Sequence, residues 1–468
     1  MSIEKIPTEI IQLFSSKQAW EYQLIPYKTE GNTLFCYAIE GKDYTETSIE
    51  IEVLSGYRII CNAIAEQEIS KNLQLYYRKT NVLKKSGNAI DNITAGQDFL
   101  MQLIEEAFDC YVSDIHIECY DERCRIRFRI DGKLIERYVV ERRNYASLIN
   151  QIKILSRLDI SEKRLPQDGR ILFNRHEKKF DVRVSSLPTI YGEKIVLRLL
   201  TRHVELLELV RLGFNEKQLN DYENAISKPY GLILICGPTG SGKSTTLYAT
   251  LRKLNKECDN ILTIEDPVEY TLEGINQVQL KEEIGLTFAS ALRTFLRQDP
   301  DIIMLGEIRD QETAQMAIRS SLTGHLIFST IHTNTAWGSI TRLIDMGIPS
   351  YFIANTLVMC VAQRLVRLLC PHCKQKAAAT SDVKKMLPGN NNEYHYVATG
   401  CEKCYYTGYS GRKAIYEVIP IDNELAQKIR EGEQDVDAIL RNRNIITLHQ
   451  AGLDMVLAGE TSIEEISI

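Results

Sequence analysis

The chain has 468 residues, 44% hydrophobic and 25% charged, enough for about two to four packed domains. Its net charge of −6 counts against a protein built to grip a nucleic-acid backbone, and no apolar run nears the roughly 20 residues of a membrane helix. Residues 1–10 carry no basic stretch leading into an apolar one, so no signal peptide is expected there. Most of the 12 cysteines, such as Cys36, Cys61, Cys236 and Cys360, stand singly inside apolar runs, the pattern of buried thiols in a reducing compartment.

Residues 1–92 alternate short apolar stretches (33–39, 48–54) with polar segments, which predicts a small α/β module without a chemical motif. The basic stretch 78–88 predicts a linker. Helical spacing over 98–108 opens a second module. It continues through Ser113-Asp114-Ile115-His116-Ile117-Glu118 and the period-two run 125–132. There Ile126, Phe128 and Ile130 face a core, while Arg125, Arg127 and Arg129 share the opposite face. Two readings stand: a solvated strand face, or cations aimed at phosphates or an acidic neighbour. The module runs through Lys163-Arg164-Leu165-Pro166-Gln167-Asp168-Gly169-Arg170 and 180–189 to the alternating strand 193–200.

A buried-type strand, 232–236, then leads into Gly237-Pro238-Thr239-Gly240-Ser241-Gly242-Lys243-Ser244-Thr245, followed by a helical stretch. This satisfies G-x-x-x-x-G-K-[ST] in full, in the strand-then-helix setting that separates a P-loop from a Gly/Ser turn. Glycines let backbone N–H groups approach phosphate, Lys243 reaches the β- and γ-phosphates, and Ser244 offers its hydroxyl to Mg²⁺. The helix adds the positive end of its dipole.

Apolar strands at 260–264, 302–305 and 326–330 alternate with helical stretches, the pattern of a parallel sheet flanked by helices. Such sheets bind ligands at the carboxyl ends of their strands. Glu265 and Asp266, Glu307, and His332 follow those strands, so all are expected beside the P-loop. Glu307 is the candidate for ordering the metal or its waters, Glu265 for taking the proton of an attacking water, and His332 for contacting the γ-phosphate. A loop acid or a merely hydrogen-bonded histidine would explain each alone, but not their succession.

Cys370-Pro371-His372-Cys373 and Cys401-Glu402-Lys403-Cys404 are C-x-x-C pairs with 27 residues between them. Two such knuckles can give four thiolates to one structural Zn²⁺, with a redox C-x-x-C as the alternative. The last 55 residues are expected to be helical, with solvated acids around 431–435.

Taken together, these motifs resemble the type II secretion and type IV pilus assembly ATPase family over roughly residues 95–468. The segments 113–118 and 163–170 are similar to signatures of the domain that precedes the family's motor. Thr263-Ile264-Glu265-Asp266-Pro267-Val268-Glu269-Tyr270 looks like its aspartate box, 292–310 like its Walker B segment, and 323–334 like its histidine box. Cys119 stands where proline commonly follows the first signature, and Ser244 where threonine is commoner; neither removes a needed group. The match is weakest over the first 92 residues, the part that docks a membrane platform in the family.

The resemblance implies an α/β protein with a RecA-like P-loop motor at 206–468, a smaller PAS-like domain at 93–205 and an N-terminal docking module at 1–92. It implies a hexameric ring with ATP between motor and preceding domain, Arg183 and Arg198 matching arginines brought to the γ-phosphate. Arg293 and Arg297 match motor arginines near the nucleotide or a subunit boundary. Cys370, Cys373, Cys401 and Cys404 would hold Zn²⁺ in a protruding region. The implied activity is Mg²⁺-dependent ATP hydrolysis in the cytoplasm, driving an inner-membrane platform protein of a pilus or secretion system, without direct nucleic-acid contact. The rival is a RecA-type nucleic-acid translocating motor, against which the acidic balance and the lack of a basic stripe interleaved with aromatics both count. A nucleotide-gated scaffold without turnover conflicts with the intact acidic set.

Overall fold

Three of the four sheets among the described residues carry the apolar cores. The computed structural model describes residues 6, 10, 13–14, 16–76, 97–121, 123–175, 178–200, 208–387, 394–433 and 435–466. The expected linker at 78–88 and the turn-rich stretch 388–392 lie outside them. In the first sheet β1 (Ile25–Glu30) pairs antiparallel with β2 (Thr33–Ile39), and β2 pairs parallel with β3 (Arg58–Ile64). A hairpin cannot join parallel neighbours. The chain therefore crosses through the helix Thr45–Ser55, which takes in the apolar stretch 48–54, and Leu34, Cys36, Ile51 and Leu73 fill the core.

The second sheet is antiparallel in the order β6-β5-β4-β9-β8-β7. Its strands are β4 (Asp114–Cys119), β5 (Cys124–Ile130), β6 (Lys133–Val140), β7 (Gln167–Arg175), β8 (Lys178–Thr189) and β9 (Gly192–Leu200). Period-two alternation sends Ile115, Ile117, Ile126, Phe128, Val182, Val184 and Leu197 to one face. There the apolar stripes of the helices Gln97–Asp109 and Arg142–Leu155 cover them. On the opposite face the strand register lines up one row across five strands: Arg129, Asp114, Arg198, Arg183, Arg170.

That register decides between the two readings of the strand-125 arginines. Arg125 and Arg127 bond to Glu118 on the neighbouring strand (3.0 and 2.7 Å), Arg125 also reaches Glu136 (3.6 Å), and Arg129 pairs with Asp114 (3.5 Å). Alternation along one strand cannot show the acid that sits across from it. Burial alone would raise the Glu118 carboxyl, but hydrogen bonds from Arg127, Lys194 and Arg125 overcome it and hold its pKa at about 2.

The loop before β7 is fixed from inside. Lys153 is wholly buried, 2.5 Å from Glu193, and donates to the carbonyls of Asp159 (3.2 Å) and Glu162 (2.7 Å). A Cβ on Gly169 would stand 2.6 Å from the Ser156 carbonyl, so the Gln167-Asp168-Gly169-Arg170 signature needs glycine where strand and helix end meet.

The third sheet has the order β12-β11-β13-β14-β10-β15-β18. It contains β10 (Gly231–Cys236), β11 (Ile261–Glu265), β12 (Asn276–Gln279), β13 (Ile302–Leu305), β14 (Leu326–Ile331) and β15 (Leu357–Leu369). A two-stranded excursion, β16 (Gln375–Ala378) with β17 (Tyr394–Val397), separates β15 from β18 (Tyr409–Pro420). All pairings are parallel except β15 with β18. Every residue of β10, β11, β13 and β14 is buried, as expected of strands covered on both faces. The expectation of helix throughout the last 55 residues fails at its start. Up to Pro420 that segment is the end strand β18, whose residues 414–419, apolar except for Glu417, are buried against β15 and the flanking helices. Helices follow from Asn423, and the acids Glu431, Glu433 and Asp435 are exposed.

Candidate active site

The P-loop joins β10 to the helix Lys243–Leu254. A Cβ on Gly237 would lie 2.3 Å from the Gln363 carbonyl and 2.8 Å from Ser241 Oγ, so the bend at the end of β10 excludes any side chain. Gly240 and Gly242 have φ of 80° and 89°, which turns successive N–H groups toward one concavity, a nest for an anion at the start of the helix. Ser241 Oγ is buried beside it without a hydrogen-bond partner. Below the loop, Thr246 Oγ1 donates to Gln363 Oε1 (2.9 Å) and lies 3.2 Å from Tyr416 Oη, tying the helix start to β15 and β18.

Lys243 Nζ donates to the carbonyls of Gly237 (2.8 Å) and Pro238 (3.1 Å), which curls it over the loop. Burial lowers its pKa, opposed by Cys236 and Glu307. A half-buried ammonium over a ring of N–H donors is a site for a multiply charged anion.

Glu307 stands where three strand ends meet. Gly306 N–H donates to the Ile264 carbonyl (2.8 Å), Thr330 Oγ1 to the Gly306 carbonyl (2.7 Å), and Ile308 N–H to the Thr330 carbonyl (2.9 Å). The backbone on both sides of Glu307 is thereby pinned. Its carboxylate bonds to Arg309 and lies 3.2 Å from His332 Nε2, and Arg309 also reaches Asp266 at 3.8 Å. The structure thus gathers Lys243, Asp266, Glu307 and His332 at one end of the sheet, as the strand-end rule predicts. Arg309 was visible in the Gly306-Glu307-Ile308-Arg309 segment, but nothing local in sequence shows that it binds Glu307.

Glu265 is also at this end but turned inward. It is 4% exposed and accepts from Tyr248 Oη, Thr263 Oγ1 (2.6 Å) and Gln277 Nε2 (3.1 Å). Both oxygens thus already accept, and a water that gives Glu265 a proton has to compete with these donors. Tyr248 and Gln277 come from the P-loop helix and the edge strand β12, partners that sequence spacing does not reveal.

Comparison with known proteins decides the family. Residues 92–468 match the family model described as Type II/IV secretion system protein. The chain belongs to that family. Type II secretion system protein E of Klebsiella pneumoniae is 40% identical over 461 residues, covering 93% of this chain and 92% of that protein. Type II secretion system ATPase E of Vibrio cholerae is 46% identical over 368 residues, 78% of this chain and 73% of that protein. Among solved structures, the pilus retraction motor PilT with bound ADP superposes with TM-score 0.55 at 25% identity, covering 79% of this chain and 96% of that one. The ATPase DotB of Legionella pneumophila shares the fold, with TM-score 0.60 at 20% identity over 82% of this chain and 98% of that one. The protein is therefore an ATP-hydrolysing secretion ATPase with a RecA-like motor fold.

In this secretion ATPase the arginine-bearing face of the second sheet meets the motor across a cleft of about 1120 Å³, lined by Arg170, Arg183, Arg198, Val268, Glu269 and Gln277. Arg183 donates to the Val268 carbonyl and lies 3.8 Å from Glu269, immediately past the Asp266–Pro267 bond. Arg198 Nε bonds to Asp114 Oδ1 at 2.8 Å. Asp114 is buried and also takes a bond from Ser113 Oγ (2.9 Å), so the first signature supplies the carboxylate that holds Arg198. Arg293 and Arg297 lie apart from the Lys243 group: Arg293 pairs with Glu312, Arg297 donates to the Arg293 carbonyl (3.0 Å), and both side chains are exposed.

The four cysteines of the secretion ATPase come together. Their sulfurs lie within 4.8 Å of one another, with Cys370–Cys401 at 3.9 Å, Cys373–Cys404 at 3.7 Å and Cys401–Cys404 at 3.8 Å. A tetrahedral ion with Zn–S bonds of about 2.3 Å sets its sulfurs about 3.8 Å apart, so the donor set fits a closed four-thiolate site. Cys404 Sγ also accepts N–H groups from Cys401 (3.1 Å) and Gly408 (3.3 Å). The next residue, Tyr405, lies 3.0 Å from Cys110 Sγ, and its ring lies 5.4 Å from the Arg137 guanidinium. The cysteine turn therefore abuts the second sheet's unit.

Among the described residues, no helix is long and apolar enough to cross a membrane.

Proposed function

We propose that the protein is a hexameric motor that hydrolyses ATP between its arginine-bearing sheet and its P-loop sheet, and that this drives an inner-membrane platform protein to assemble a pilus or secretion pseudopilus. The observation that carries this reading is the register row that sets Arg198 and Arg183 side by side and opposite the loop after Glu265. Lys243 and the P-loop amides would hold the phosphates, with Ser244 and Glu307 as ligands or water-holders for Mg²⁺. When bound, Mg²⁺ draws charge from the transferring phosphoryl group. Arg183 and Arg198 would move from Val268 and Asp114 onto the γ-phosphate as the cleft closes. His332, through Glu307, would report its loss, and Glu265 would take the proton of the attacking water in competition with its present donors.

Residues 1–92 would dock the platform, 93–205 carry the arginines, and 206–468 form the motor. Arg293 and Arg297, both exposed, would face the next subunit. Zn²⁺ on Cys370, Cys373, Cys401 and Cys404 would be structural, shaping the turn that presents Tyr405 to Cys110. The protein would work in the cytoplasm, held at the inner membrane through its partners.

A charge-assisted hydrogen bond is worth about 1.5–3 kcal/mol, so Arg183→Ala is expected to lower turnover about 10- to 100-fold. Binding of a fluorescent ADP should stay within about threefold, since ADP lacks the γ-phosphate. Steady-state hydrolysis and ADP titration on the assembled oligomer check both. Normal turnover by the variant ring would misplace the arginine site.

A further inference from the structure

The first hairpin of the second sheet ends in two thiols. Cys119 and Cys124 are directly opposed in the β4–β5 register. Tyr120 N–H donates to the Arg123 carbonyl at 2.9 Å, which makes residues 120 and 123 a hydrogen-bonded pair. The two pair types alternate, so Cys119 and Cys124 form a non-hydrogen-bonded pair, where Cα atoms approach to about 4.5 Å and side chains converge. Disulfides span Cα separations of about 4.4–6.8 Å. The two sulfurs lie 2.9 Å apart, within an ångström of the bonded distance of about 2.05 Å.

Access to the two is unequal. Cys124 is fully buried in the core. Cys119 lines a surface cavity of about 370 Å³ together with Tyr120, Ile190 and Lys194, and the Ile190 side of that cavity is open to solvent, Ile190 being 94% exposed. Cys119, 8% exposed, borders that cavity, so a small oxidant can reach it where Cys124 is closed off.

We propose that Cys119 and Cys124 are a modification site: a cross-strand thiol pair that hydrogen peroxide converts to a disulfide and dithiols restore. The Cys119 thiolate attacks one peroxide oxygen; an S–O bond forms, the O–O bond breaks, and hydroxide leaves. Cys124 gives its proton to that hydroxide and attacks the Cys119 sulfur; the S–S bond forms and the S–O bond breaks. The sulfenic oxygen departs as hydroxide, which takes up the proton that Cys119 lost on ionising. Two thiols and one peroxide thus yield one disulfide and two waters. Burial, with the Cys119 sulfur beside it, pushes the Cys124 thiol up to about 12, so Cys124 is not the sulfur that meets peroxide first.

The test uses the full chain, freed of reductant and exposed to rising hydrogen peroxide, then blocked with N-ethylmaleimide and digested with trypsin. Trypsin cuts after Arg123, so a Cys119–Cys124 bridge keeps together two peptides that otherwise separate. The joined pair is expected at peroxide no higher than the level that oxidises the exposed Cys258, with a mass about 2 Da below the sum of the free peptides. Dithiothreitol should part it. In Cys124→Ala the sulfenic acid on Cys119 should persist and react with dimedone. Recovery of Cys119 and Cys124 as maleimide adducts at peroxide that oxidises Cys258 would overturn the proposal, and so would a bridge that dithiothreitol leaves intact.

Discussion

Lys243→Ala is expected to lower steady-state ATP hydrolysis by about a thousandfold, at the upper end of what loss of one preorganised charge or donor costs. The ammonium is half-buried, held by two carbonyls of its own loop and lowered in pKa by its surroundings. A group held charged under those conditions gains most from a phosphate placed against it. The fold should survive, because Leu247, Tyr248 and Leu251 anchor the helix in the core and the lysine's own bonds are confined to its loop. Hydrolysis assays paired with far-ultraviolet circular dichroism check this. Unchanged turnover with unchanged ellipticity would remove Lys243 from the site.

Glu307→Gln is expected to cost about 10²- to 10³-fold in kcat while nucleotide affinity changes little. The substitution keeps shape and removes one negative charge. In the native site that charge holds Arg309 and sits 3.2 Å from His332, with the backbone on both sides pinned to β11 and β14. The amide can still accept from Arg309, so the loop should hold its course, but it cannot order a cation or a water's proton in the same way. Single-turnover hydrolysis separates the two effects: a loss in affinity with normal kcat would make Glu307 a binding group only.

Much of this site was legible because its chemistry sits at strand ends. Once β10, β11, β13 and β14 are read as buried strands, the parallel-sheet rule places Gly237, Glu265, Glu307 and His332 together without any contact being known. The opposite limit is set by pairing across strands. Arg125, Arg127 and Arg129 look uncompensated along their own strand, yet Glu118 and Asp114 meet them from the next one. Glu265 looks available after its strand, yet Tyr248 and Gln277, distant in sequence, close over it. Strand β18 escaped notice because residues 414–419, apolar except for the buried Glu417, run together without alternation, as both-face burial requires and as a short helix segment would also show. The cysteine spacing offered four thiolates without showing that the two pairs meet, and the fold brings all four within 4.8 Å.

The measurement that tests the motor assignment most directly is ATP turnover by the purified chain with oligomer mass followed in parallel. It is made alone, with the cytoplasmic domain of a pilus or secretion platform protein, and with single-stranded DNA. The assignment predicts Mg²⁺-dependent turnover that rises with the platform domain as a six-subunit species forms, and no response to DNA. Stimulation by DNA alone would contradict it and make the protein a nucleic-acid motor.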